Sequence, residues 1–417
     1  MTLRKSIIGL ACVAIVMCGA TRTATQVDRR LKIDPPRFND PDRLAKLSRA
    51  FADIDRLFQD FTVGAHVPGA AWGIVIDGEL ASTGVTGYRN AALKTPVTTN
   101  TVFRIASMTK SFTAMSVLKL RDEGKLSLDD PVERYVPELK NLVYPTDDSP
   151  RITLRHLLSH SEGFPEDNPW GDRQLANTDE QLSHMMRLGI PFSNAPGVAY
   201  EYSNYGFGIL GRVITRVSGR PYREFIAANV LRPLGMSSTT LEVGAVPRDR
   251  LAHGYRWEDS QWKEEALLAD GAFGSMGGIL TSVPDLARYI SAFMSAWPPR
   301  DDAETGPVLR SSLREMQQLW RPVPAVVTRN PAAGIQLIAG GYGFGLRISQ
   351  TCSFNYIVQH GGGLRIRQCH LHRLGRCVRQ RVRSLGENRR LATSCSAAFA
   401  GARRSAQCDL PSDWALG

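Results

Sequence analysis

Ser107 and Lys110 stand three positions apart in Ser107-Met108-Thr109-Lys110, directly after Phe103-Arg104-Ile105. On a helix, that spacing puts an alcohol and an amine on one face, one turn apart. At a helix N-terminus the open backbone N–H groups and the dipole favour the alkoxide that attack on a carbonyl requires. A desolvated lysine gives up its charge more readily and can take the serine proton as a neutral amine. The chemistry this pairing allows is acyl transfer through a serine ester. The spacing recurs at Ser116/Lys119 and Ser260/Lys263. Ser116 falls in mid-helix about 13 Å further on and on the opposite face, where its hydroxyl is expected to bond the preceding turn. Ser260 and Lys263 lie in a polar, loop-like stretch.

Two further groups fit the same chemistry. Tyr202-Ser203-Asn204 follows Pro196-Gly197 and opens a helical stretch. A phenol beside an ammonium ionises more easily, so Tyr202 can share the base role, and Asn204 can orient Lys110 or a substrate amide. His360-Gly361-Gly362-Gly363 follows a strand-like run. Glycines there let a backbone approach a ligand closely, as an oxyanion N–H must. His156 and His160 are four apart, but no Glu stands beside them as in a metalloprotease helix, and they read as core histidines. Cys369, His370, His372 and Cys377 match no standard zinc spacing. No cofactor and no metal is implied.

The elements that must position these residues are legible in outline. Residues 43–61 carry apolar side chains every third or fourth position, the mark of one amphipathic helix. Residues 70–76 and 80–87, separated by Asp77-Gly78, read as a β-hairpin. From about 108 to 320 the period is mostly helical, with one helix from Met108 to near Gly124 and another over 205–217 that stops at Gly219. Ser282 with Asp285 reads as a helix start. Strand-like runs return at 335–338, 343–348 and 356–359. Strands, a long helical block and strands again predict an α/β fold, one sheet with a helical insertion.

Composition bounds the setting. The chain has 417 residues, 43% of them hydrophobic, enough for a large core. Arg4 and Lys5 precede an apolar run over residues 7–17 and the small residues Gly19-Ala20, the order of a secretory signal. Residues 1–25 are therefore expected to be a signal peptide, 26–40 a linker and 41–363 the folded domain. The protein is expected to be exported to periplasm, envelope or medium, with no permanent membrane span after signal removal. The net charge of +11 does not mark a nucleic-acid binder, because residues 364–417 alone hold 11 Arg against three acids. The other 363 residues carry a net of only +3, and four of the seven cysteines also fall in that tail.

Taken together, Ser-x-x-Lys, Tyr-Ser-Asn and His-Gly-Gly in this order resemble the serine β-lactamase and penicillin-binding-protein family. The closer likeness is to its class C-related branch, which includes esterases and D-amino-acid peptidases. Phe103-Arg104-Ile105-Ala106, Ile152-Thr153-Leu154-Arg155-His156-Leu157-Leu158-Ser159-His160 and Gly277-Gly278-Ile279 are similar to that branch too, over roughly residues 45–363. The resemblance implies an antiparallel sheet flanked by helices with an inserted all-helical subdomain. It also implies Ser107 as nucleophile, Lys110 and Tyr202 as base, and Asn204 lining the site. The backbone N–H groups of Ser107 and Gly363 would form the oxyanion hole, with His360 and Gly362 on the substrate side. The small-molecule substrate would be an ester, a peptide or a cell-wall-derived compound. His360 stands where dedicated β-lactamases carry Lys, which favours an ester or peptide over a lactam.

From Leu364 onward the family's continuation gives way to Arg365-Ile366-Arg367-Gln368-Cys369-His370. One choice of codons for these residues, read a single base later, yields Gly-Phe-Gly-Asn-Val-Thr, a family-like continuation. Residues 364–417 are therefore expected to be out-of-frame translation. The closing strands of the sheet would be missing, and the alternative to an active hydrolase is a catalytically impaired or non-catalytic family member.

Overall fold

Asp77 and Gly78 both lie at positive φ, 54° and 90°, as a two-residue hairpin turn must to match the twist of its strands. They fold β1 (Gly69–Ile76) onto β2 (Glu79–Asn90) in antiparallel register, with Ile76 opposite Glu79, as the sequence predicts. Trp72 on β1 stacks on Phe58 with centroids 4.8 Å apart and donates its indole N–H to Asp55 at 2.8 Å. Both partners belong to α2 (Phe51–Gly64), so this contact seats the helix on the sheet. The single helix expected over 43–61 is two: α1 (Arg43–Ser48) precedes α2 and buries no residue. Leu44 is left exposed, and without a face to cover the chain turns at Arg49-Ala50.

The computed structural model describes residues 33–35, 38–168, 170–330, 334–351, 354–362, 369–373 and 395–400. The expected signal peptide, most of the linker, Gly363 and Cys377 lie outside these residues. The first sheet has the order β12 (Gly361–Gly362), β13 (Cys369–Arg373), β14 (Cys395–Ala400), β1, β2, β3 (Thr95–Pro96). No closing strands are expected after Leu364, yet the backbone of two short strands is found there. β14 runs parallel to β1 and to β13, whereas the family resemblance implies an antiparallel sheet.

A second sheet, antiparallel throughout, is formed by β8 (Arg321–Asn330), β9 (Gly334–Tyr342), β10 (Arg347–Thr351) and β11 (Phe354–Gln359) in the order β11-β10-β9-β8. The expected single sheet is thus two ladders, and the chain passes from one to the other at His360. β8 is not predicted, because Pro322 and Pro324 argue against a strand; as an edge strand it tolerates both. Residues 343–346, expected to be extended, form a turn in which Gly345 takes φ 66°. A Cβ there would stand 2.6 Å from the Lys110 carbonyl oxygen. Two small pairs complete the strands: β4 (Phe103–Arg104) with β7 (Leu280–Thr281), and β5 (Gly254–Glu258) with β6 (Gln261–Glu265).

Between β4 and β8 lies the helical block. α3 (Thr109–Asp122) runs through its centre, and every residue from Thr109 to Leu118 is buried. A helix surrounded on all sides must satisfy its own polar side chains. Thr113 accordingly donates to the Ser275 carbonyl at 2.6 Å, and Ser116 to the Phe112 carbonyl at 2.9 Å, the back-bond expected for it. Around α3 are α4 (Leu154–Leu158), α5 (Asp179–Leu188), α6 (Asn204–Ser218), α7 (Tyr222–Ile226), α8 (Gly274–Gly277), α9 (Val283–Ser295) and α10 (Arg310–Met316). α6 ends on Gly219 at φ 69°, a left-handed cap that suits glycine. α9 starts after Ser282 with Asp285 in its first turn, also as predicted.

Phe112 anchors this core. It has no exposed surface and stacks on Tyr289 with centroids 3.7 Å apart. Phe112→Ala removes the ring from a site that cannot collapse onto it. It is expected to cost about 3–5 kcal/mol, read as a lowered midpoint in guanidinium unfolding with the slope unchanged.

Candidate active site

Ser107 sits in a single turn of 3₁₀ helix, Ala106–Met108, which feeds directly into α3. The turn is tight: Ala106 takes φ 47°, a left-handed conformation that costs a residue with a Cβ about 1–2 kcal/mol. It is held from both sides by the segment that carries β7. Ile105 N–H donates to the Ile279 carbonyl at 2.9 Å, and Ile279 N–H donates to Thr109 Oγ1 at 3.1 Å. The strain is maintained because neighbouring backbone over-determines it.

One turn into α3, Lys110 is fully buried. Its Nζ lies 3.1 Å from Ser107 Oγ, 2.6 Å from Asn204 Oδ1 and 2.9 Å from the Met276 carbonyl oxygen. It also stands 4.8 Å from the Tyr202 ring centroid and 5.6 Å from that of Phe207. Ser107, Lys110, Tyr202 and Asn204 are therefore brought together, as the sequence predicts. The other two Ser/Lys pairs do not compete. Ser260 occupies the β5–β6 turn at φ 58°, and Lys263 pairs with Glu258 at 2.9 Å.

The Tyr202–Asn204 turn is clamped by groups that sequence reasoning missed. Asp167 accepts from Asn204 N–H at 2.8 Å and from Tyr205 N–H at 2.7 Å. It thus caps the first turn of α6, while Ser203 Oγ accepts from Gly206 N–H at 3.0 Å. Asn168 Oδ1 accepts from Asn204 Nδ2 at 2.7 Å, which leaves Asn204 Oδ1 aimed at Lys110. His160 is fully buried, with its ring 4.4 Å from that of Tyr202. Burial, reinforced by the nearby Lys110 charge, holds its pKa well below the ordinary imidazole value. Its Nδ1 accepts from Ser203 N–H at 3.1 Å. His156 accepts from Thr153 N–H at 3.2 Å and closes a capping box on α4. Both histidines act within the scaffold, and among the described residues no group of three or more His, Cys, Asp or Glu could hold a metal ion.

His360, expected on the substrate side, has a buried ring whose Nε2 is 2.9 Å from the Tyr342 hydroxyl and whose Nδ1 is 2.5 Å from the Gly361 carbonyl oxygen. The strand it introduces does reach the site, since β12, with Gly362, packs against the turn that carries Ser107. Gly363 lies outside the described residues. Arg347 on β10, which the sequence does not single out, brings a cation beside the tyrosine turn. It is exposed, its guanidinium lies 6.0 Å from the Tyr202 ring centroid, and no ion pair to it is found among the described residues.

An alcohol, a buried amine, a phenol and an amide are thus gathered at one place on this scaffold. A match to the Beta-lactamase family spans residues 54–368, and the chain belongs to that family. Protein flp of Staphylococcus aureus (strain MW2) is 31% identical over 242 residues, 57% of this chain and 47% of that protein. Beta-lactamase-like protein 2 of Dictyostelium discoideum is 28% identical over 280 residues, 64% of this chain and 49% of that protein. The chain spans about half the length of the curated relatives it matches. Among solved structures it resembles the octameric penicillin-binding protein homologue from Pyrococcus abyssi, with 28% identity and a TM-score of 0.64. That likeness covers 76% of this chain and 69% of that one. The fold is also that of EstCE1, a hydrolase with promiscuous acyltransferase activity, with a TM-score of 0.58 at 20% identity and coverage of 77% and 89%. No helix among the described residues is long and apolar enough to cross a membrane.

The clamp on the tyrosine turn is open to direct measurement. Asp167→Ala strips the acceptor from two N–H groups at the start of α6 and is expected to cost about 1–2 kcal/mol of stability. A thermal melt checks this, and an unchanged midpoint would show that the cap contributes nothing.

Proposed function

We propose that the chain is an exported serine acyl hydrolase in which Ser107 forms the acyl ester and Lys110 moves its proton. The observation that carries this reading is the 3.1 Å between Lys110 Nζ and Ser107 Oγ. Two other close neighbours of the lysine, Asn204 Oδ1 and the Met276 carbonyl, can only accept. They engage two N–H bonds of the lysine in either of its charge states. The third direction differs: an ammonium donates to Oγ, whereas an amine accepts from it. Ser107 Oγ attacks the substrate carbonyl carbon as its proton passes to Nζ, and the carbonyl oxygen becomes the oxyanion. Backbone N–H groups of Ser107 and Gly363 are the donors the family resemblance assigns to that oxyanion. Collapse expels the leaving group, which takes the proton back through Lys110 or Tyr202, and water then cleaves the ester by the same route in reverse.

Arg347 supports a substrate that carries a carboxylate near the reacting carbonyl, because a guanidinium binds carboxylates through paired N–H bonds. This favours a D-amino-acid peptide with a free terminal carboxylate. Export rests on the charged, apolar, small-residue order of residues 1–25.

A chromogenic short-chain ester and a fluorescent penicillin test the core of this reading. Hydrolysis or labelling should vanish in Ser107→Ala, and retention of either by that variant would refute the assignment. Arg347→Ala should raise KM for a carboxylate-bearing depsipeptide roughly tenfold more than for a neutral ester, the scale of one charge-assisted contact.

A second reading concerns the tail. The family match stops at residue 368, a few positions into the Arg- and Cys-rich stretch. We propose that residues 364–417 are read out of frame and that the chain is weakly active for that reason. In-frame strands would steady the oxyanion donors. Sequencing the coding DNA around residue 364 tests this, and a shifted frame without strand-like, family-like sequence would end it.

A further inference from the structure

Lys110 is oriented in part by a main-chain carbonyl, that of Met276, on the single turn of α8. A four-residue helix cannot hold its own direction, since it closes barely one hydrogen-bonded turn. Something outside it must fix where that carbonyl points. Asp270 occupies the space over this turn. A Cβ built on Gly274 would fall 1.8 Å from Asp270 Oδ1, and one on Gly278 would fall 2.4 Å from the same atom. The carboxyl group therefore rests in a cradle that only two glycines, four residues apart, leave open. Asp270 Oδ1 is buried and has no hydrogen-bond partner among the described residues, and the three guanidinium nitrogens of Arg104 are buried in the same condition. Arg104 is on β4, three residues ahead of Ser107, and acts electrostatically on Asp270.

We propose that Asp270, backed by Arg104, is a positioning residue for Lys110: it wedges the Gly274–Gly278 turn so that the Met276 carbonyl stays on the amine. The pair links the two segments that meet at the site, β4 leading into Ser107 and α8 leading into β7. The charged groups that act on Asp270 are Arg104 from β4, Arg223 from α7 and Glu242 from the loop ahead of residue 243. Burial raises its carboxyl, Arg104 and Arg223 draw it down and Glu242 adds to the rise, which together leave it at about 7. The wedge is thus charged above neutrality and loses its charge on acidification.

The inference rests on Lys110 serving Ser107 as proposed above, and its test has one arm that needs no turnover. Full-length protein carrying [ε-¹³C]lysine is titrated by NMR, with the Lys110 resonance assigned by its absence in Lys110→Arg. Asp270→Ala empties the cradle, Asp270→Asn keeps the volume without the charge, and Arg104→Met removes the backing cation. A carbonyl acceptor favours the ammonium, so in Asp270→Ala the Lys110 midpoint should fall by roughly half a pH unit or more, whereas Asp270→Asn, which still fills the cradle, should hold it near the wild-type value. In the kinetic arm, Asp270→Ala should lower kcat on a short-chain ester about tenfold with KM held within about twofold, the signature of a lost transition-state geometry. Gly278→Ala, which evicts the carboxylate from above, should reproduce that split. Should wild type turn over no ester, the function reading fails while the NMR arm still judges the wedge. A folded Asp270→Ala whose Lys110 titrates at the wild-type midpoint would overturn the inference, as would a loss confined to thermal stability.

Discussion

A lysine amine with no access to water, held between a serine hydroxyl and two pure acceptors, is the constraint from which the rest of the architecture follows. Burying a charged or chargeable group is costly unless each of its bonding directions is met. Here Ser107, Asn204 and Met276 meet three of them at 2.6–3.1 Å. These partners come from three separate stretches of chain, so the amine can be accommodated only once those stretches have docked. The buried α3, the capped start of α6 and the short α8 turn are the three pieces that do so.

Each piece is stiffened by polar bonds rather than by apolar packing alone. Thr109, Thr113 and Lys110 on α3 reach the segment from Ser275 to Ile279, and Ser275 in turn donates to the Phe207 carbonyl of α6 at 2.8 Å. Such a network in a low-dielectric interior is rigid when every member is satisfied and costly when one is removed. The left-handed Ala106 beside the nucleophile fits this picture, because the strain it stores is maintained by the docking of its neighbours. Asp167 and His160 play the same part for the tyrosine turn, one by capping backbone N–H groups and the other by lying against the ring.

Much of the site was legible in sequence because its parts are local motifs. Ser107 and Lys110 share a helix face, and Tyr202 and Asn204 flank one capped turn, so spacing alone sets each pair. The groups that lock the pairs together were not legible. Met276 contributes a carbonyl, which every residue has and no composition reveals. Asp167 acts across 37 residues on Asn204, and His160 across 43 on Ser203. Arg347 stands beside Tyr202 only because β10 runs near the tyrosine turn. The same limit applies to strands: β8 carries two prolines that an edge position tolerates, and residues 343–346 read as strand although Gly345 must turn to pass α3.

The chain's own order of residues determined the hairpin at Asp77-Gly78, the amphipathic and capped helices, the nucleophile turn and the family to which they belong, since these depend on neighbours within a few positions. Tertiary structure alone decided which way His360 faces, which carbonyl meets Lys110, and how the strands divide between two ladders. The physical reason is that local sequence sets backbone conformation and side-chain spacing. Burial, hydrogen-bond partners and electrostatic surroundings arise only when segments far apart in the chain are packed against one another.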